Sequence, residues 1–156
     1  MVSGCCQRPN PYTLRSSWRR MASSMSARTE IYRSDYLTLF LERNGRLIRI
    51  VRSAIPYPDV AALEHTYGKA YDTIKALRQQ DLCMLVDQRL ATGRNDPEFE
   101  QATARLRTRM YPLFRKRAIL VMSMVGKLQF QRLQREDGLE RMVSQDEAEL
   151  LRYLDV

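Results

Sequence analysis

Leu82, Cys83, Met84, Leu85 and Val86 form an unbroken apolar run in which no polar residue alternates. Such a run is too short for a helix and has no wet face, so it reads as a strand buried on both sides. The chain then turns polar at Asp87, Gln88 and Arg89, passes Gly93, Arg94 and Asn95, and restarts at Asp96-Pro97. Aspartate at a cap position accepts free amides, and proline in the first turn needs no donor, so a helix is expected to start here. A buried strand, a charged loop and a capped helix commit the chain to an α/β sheet. In such sheets the carboxyl ends of the strands carry the working surface.

The flanking segments fit that frame. Tyr36, Leu37, Leu39, Phe40 and Leu41 precede Asn44-Gly45, and Leu47, Ile48, Ile50 and Val51 follow it, which predicts a hairpin. Asp59 can cap a helix whose apolar face is Val60, Leu63, Tyr67, Ala70, Tyr71, Ile74 and Leu77. The helix after Asp96 shows Phe99, Ala102, Leu106, Met110 and Leu113, and Arg115-Lys116-Arg117 suit its negative end. Residues 118–124 predict another buried strand. A helix from about Val125 then stops at Asp137-Gly138. A short extended piece at 141–143 leads to Ser144-Gln145-Asp146-Glu147, a capping box for a last helix bearing Ala148, Leu150, Leu151 and Leu154. The expected fold class is α/β: an N-terminal β-hairpin, then alternating strands and helices in one mixed sheet covered by helices.

A chain of 156 residues with 44% apolar content fits one core, expected over residues 31–156. The net charge of +8 is uneven: residues 1–28 hold Arg8, Arg15, Arg19, Arg20 and Arg28 and no acid, leaving +3 for the rest. The basic character is therefore a property of the first segment, and a nucleic-acid reading, which wants a basic stripe on the folded domain, is weakened. Residues 1–28 read as a disordered basic tail. Their composition also resembles an organellar transit peptide, and Met21 or Met25 offers an alternative start. The longest apolar stretch, residues 118–125, is far short of the roughly 20 residues that span a bilayer, so a soluble chain is expected. Cys5, Cys6 and Cys83 make neither a disulfide framework nor a zinc spacing, which points to a reducing cytoplasm.

Chemistry is sparse. His65 stands alone, and no cofactor or metal is expected. Asp87 with Ser123 is the sole base–nucleophile pairing on offer, so an enzyme is not expected. The candidate partner- or ligand-binding residues are Asp87, Arg89, Arg94, Asn95, Asp96, Ser123 and Lys127. Asp87 and Arg89 are also placed to pair and hold the loop, and Asp96 to cap its helix. Ser123, Gly126 and Lys127 lie at a strand-to-helix passage whose amides can meet an anion, although the P-loop spacing is absent. Arg94 alone lacks an evident local duty and is the leading contact residue.

The element order, with Leu85-Val86-Asp87 ending a central strand and Asp137-Gly138-Leu139 leading into Val143 through Leu151, resembles the STAS domains of the SpoIIAA-like, anti-sigma-factor-antagonist type. The resemblance covers roughly Tyr36 to Leu154. It implies a non-catalytic regulatory module that docks another protein through the edge around residues 87–98. Members that switch by phosphorylation carry an acceptor serine after an aspartate at the second helix; here Pro97 and Glu98 follow Asp96, so phosphoswitching there is not expected. STAS-like chains are also similar to lipid-carrying SEC14-type proteins, which implies the alternative of a small-ligand (lipid or anion) binder. That alternative requires an apolar cavity, whereas the helix faces look complete enough to fill the core.

Overall fold

A computed structural model describes residues 28–94 and 96–156. The disordered tail expected at residues 1–28 falls outside these residues, apart from Arg28. The described chain is α/β, with six strands in one mixed sheet and four α-helices. This layout is consistent with the STAS-like arrangement expected above.

The hairpin forms as the sequence predicts. Strands β2 (Leu37–Glu42) and β3 (Leu47–Arg52) pair antiparallel, with Leu39 opposite Ile50 and Leu41 opposite Ile48. Arg43, Asn44 and Gly45 all take positive φ, the left-handed conformation that asparagine and glycine tolerate best. Strand β1 (Thr29–Arg33) adds an antiparallel edge that the hydrophobic pattern did not announce. Its register shifts between Glu30 and Tyr32, which breaks the two-residue alternation on which strand recognition depends.

From β3 onward the pairing is parallel. Strands β4 (Cys83–Asp87), β5 (Lys116–Leu120) and β6 (Met142–Ser144) follow β3 in chain order across the sheet. Helices α1 (Val60–Ala76), α2 (Pro97–Met110) and α3 (Met124–Asp137) make the three crossovers. Successive crossovers of one hand, all advancing the same way, put their helices on one face. On that face Ile48, Ile50, Met84, Val86, Ile119 and Val121 pack with Ala70, Ile74 and Met110, and Phe130 lies against them. Helix α4 (Glu147–Leu154) covers the other face, where Leu150 and Leu154 bury against Leu47, Cys83, Leu85, Ala118 and Leu120. Strand β4 is thus sandwiched, and each of its residues is buried, which explains its lack of alternation.

Three expectations are corrected. Leu113 does not extend α2: with Pro112 unable to donate, the chain tightens into a 3-10 turn over Tyr111–Leu113. The basic triplet then enters β5, which starts at Lys116. Two of its cations serve a different helix end: Lys116 Nζ donates to Tyr153 O at 2.8 Å and Arg115 Nη2 to Leu154 O at 3.4 Å, at the carboxyl terminus of α4. Arg117 Nη1 instead donates to Tyr111 O at 3.3 Å, at the end of α2 as expected. Finally, Asp146 and not Ser144 caps α4, accepting from Ala148 N at 2.8 Å. Ser144 Oγ accepts from Asp146 N at 3.1 Å and donates to the Glu149 carboxylate. No helix among the described residues is long and apolar enough to cross a membrane.

Candidate functional site

Strand β4 ends at Asp87, and alternation decides what each of its side chains meets. Val86 points to the α1–α3 face. Asp87 points to the α4 face, where Arg49 bridges Glu42 at 2.9 Å and Glu147 at 2.8 Å. Arg89 folds back on Asp87, with Nη2 2.6 Å from Oδ2, Nε 3.0 Å from Oδ1 and the backbone amide 3.1 Å from Oδ1. Burial opposes ionisation of Asp87, but these hydrogen bonds outweigh it and hold its pKa below the ordinary value. The pair holds the loop together.

Arg94 has a local duty after all. Its Nε donates to Asp96 Oδ2 at 2.8 Å, its Nη1 donates to Tyr57 O at 3.0 Å, and its guanidinium lies 4.6 Å from the Phe99 ring centre. Sequence reading missed this because Tyr57 is 37 residues away along the chain. Asp96 caps α2 as expected, accepting from Phe99 N at 3.1 Å. Asn95 lies outside the described residues.

Ser123 is the N-cap of α3, with Oγ accepting from Gly126 N at 3.2 Å. Lys127 is not brought to the loop; it lines a groove on the flank of α3 with Gln131, Arg135 and Arg141, beside β6. Nor does the structure bring Ser123 to Asp87: one lines the cavity on the helix side of the sheet, the other the concavity on the α4 side. Among the described residues no group of three or more potential metal ligands converges.

What the sequence did not announce is that cavity, of about 380 Å³. Its floor is Met84 and Val86 from β4 with Ile119 and Val121 from and beyond β5. Phe99, Leu106 and Met110 of α2 form one wall, Phe130 and Leu133 of α3 the other. It opens at the carboxyl edge of the sheet, between Thr92–Arg94 and Ser123–Gly126, the place where ligands enter open α/β sheets. This overturns the expectation of a filled core. Helix α3 buries none of its residues completely, so it stands off the sheet instead of sealing it. The signal was present: α3 has glutamine or arginine at positions 129, 131, 132, 134 and 135 and no continuous apolar stripe.

Apolar side chains also face solvent on this edge. Met122 and Val125 line the cavity, Val125 being 75% exposed; Met124 and Leu128 stand exposed beside them on α3, and Leu90 lines the concavity on the α4 side. Beside the inner wall, Tyr57 stacks on Tyr36 with ring centres 4.5 Å apart and meets Tyr67 and Phe99 at 6.4 and 6.1 Å. Burial pushes the Tyr57 phenol far above its ordinary pKa, so it stays neutral. At the far end Asp137 accepts from Arg107 at 2.8 Å and from Arg141 at 3.1 Å, and the Arg141 side chain is fully buried. Burial opposes ionisation of Asp137; the backbone amide of Leu139 and both arginines prevail and keep its pKa low. Compared with protein-family models, curated proteins and solved structures, the chain matches none.

Proposed function

We propose that this chain is a non-catalytic binding protein that takes a small apolar or amphiphilic ligand between its sheet and helices α2 and α3. One observation carries the reading: an apolar cavity of about 380 Å³ opens at the carboxyl edge of the parallel strands. That volume is within the range of small-molecule sites, and filling it with hydrocarbon returns contacts that the unsealed α3 leaves unmade. The resemblance of the sequence to STAS domains, which are themselves similar to SEC14-type lipid carriers, supports a binding role over a catalytic one. A cytoplasmic setting is part of the proposal, supported by the free, buried thiol of Cys83.

The test is a calorimetric titration of the full chain with decanol. Gly126→Leu serves as a plug, because a Cβ at Gly126 sits 3.5 Å from Val121 Cβ and both residues line the cavity. Wild type is expected to bind and the plugged variant to lose at least about tenfold in affinity while remaining folded. Equal binding by the two proteins would sink the cavity as the site.

A second reading is favoured by the apolar rim: the same edge docks a partner protein, as expected of a regulatory module. Exposed apolar clusters of this kind mark interaction surfaces. Met124→Asp with Leu128→Asp is expected to abolish such docking and leave decanol binding intact. Loss of decanol binding in that double variant would instead tie the rim to the cavity alone.

A further inference from the structure

We infer that the ligand of this cavity carries an anionic head and that Arg52 receives it, an inference that rests on the cavity reading above. Four arginines line the cavity: Arg52, Arg89, Arg94 and Arg107. Three already have a carboxylate: Arg89 has Asp87 at 2.6 Å, Arg94 has Asp96 at 2.8 Å and Arg107 has Asp137 at 2.8 Å. Glu100, the acid in the lining, is held by Arg132 at 2.8 Å. Arg52 differs. It is only 8% exposed, yet no carboxylate among the described residues lies within ion-pair distance of it.

Arg52 closes strand β3 and projects to the same face as Ile50, the face that α1–α3 cover. Its Nε donates to Tyr36 O at 3.3 Å, and its guanidinium lies 4.6 Å from the Tyr57 ring centre. A neutral carbonyl and a ring face are weak substitutes for a counter-ion. A buried cation without a counter-ion is costly, and a ligand that supplies the missing anion removes that cost. The planar donor face suits a carboxylate or phosphate, while the floor of Met84, Val86, Ile119 and Val121 suits an alkyl chain. Stacking on Tyr57, itself neutral, fixes the plane in which the donors point.

The experiment compares decanoate, decyl phosphate and decanol, which share a chain and differ in the head. Wild type is expected to bind at least one of the two anions about tenfold or more tighter than decanol, the size of a charge-assisted hydrogen bond. Arg52→Gln and Arg52→Met, checked for folding by circular dichroism, are expected to lose that advantage and to keep decanol affinity within about threefold. In the wild-type protein the Arg52 Nε–H resonance is expected to move on adding the preferred anion and to stay put with decanol, a readout that needs no variant. Equal affinity for all three probes leaves the cavity reading standing and overturns the anion inference. So does an unmoved Arg52 resonance when the anion is bound. Failure of every probe to bind overturns the cavity reading itself.

Discussion

Arg94 is held by a carboxylate, a backbone carbonyl and an aromatic face, and through them it pins the loop to the start of α2 and to Tyr57. The carboxylate contact is half exposed and contributes little by itself, and the ring contact adds a comparable amount. Arg94→Ala is therefore expected to lower unfolding free energy by about 1 kcal/mol in urea titrations, with decanol affinity changed little. Asp137 is the larger case, since Arg107 and Arg141 both pair with its one carboxylate; Arg141 is buried, and Asp137 and Arg107 are partly buried. Asp137→Asn leaves the buried Arg141 and the partly buried Arg107 uncompensated and is expected to cost about 3 kcal/mol. The penalty should depend on pH. The folded pKa of Asp137 lies below its ordinary 3.8, so its stabilisation is complete above that value and is lost as pH falls through the folded one. Wild type and Asp137→Asn should therefore differ most near neutrality and converge below about pH 4 in thermal melts. A constant gap across that range would remove Asp137 from the account.

Helix α3 is the weak element. It has a proper N-cap in Ser123 and a left-handed stop at Gly138, so its ends are well defined. None of its residues is fully buried, however, and helical stability in proteins comes mostly from packing one face. Its amides are expected to exchange with deuterium well before those of β4, whose residues are all buried. A bound amphiphile should slow exchange in α3 more than in α1, because α3 walls the cavity along much of its length. Uniform protection across the molecule, or slowing confined to α1, would count against both the loose packing and the site. The capping of α4 teaches a related lesson. Ser144 and Asp146 are both cap residues by type, and the sheet decides between them by drawing Ser144 into β6.

The sheet as a whole is covered unequally. Three helices lie over one face, while the short α4 is the helix over the other, and Leu150 and Leu154 are its fully buried residues. Truncating Leu150 removes packing against the centre of the sheet with nothing adjacent to replace it. Leu150→Ala is expected to cost about 2–5 kcal/mol in denaturant titrations, more than truncating any side chain of α3. Beyond α4 that second face carries charge. Glu42, Arg49, Asp87, Arg89 and Glu147 form a chain of ion pairs across β2, β3, β4 and α4.

Much of this protein follows from its sequence alone. The uniform apolar run at 82–86, the Asn44-Gly45 turn and the Asp96-Pro97 start dictate a sandwiched strand, a hairpin and a capped helix, because each depends on neighbours a few residues away. The α/β class follows from their order. What needed the tertiary structure was every feature that joins distant segments. Arg94 meets Tyr57, Arg115 and Lys116 meet the end of α4, and Ser123 and Asp87 part to opposite sides of the sheet. The cavity belongs to the same class, for a space between elements is a property of how they stand apart and no residue encodes it by itself. Arg52 is plain in the sequence as one of 26 basic residues; only the fold makes it a buried cation with no acid among the described residues at ion-pair distance.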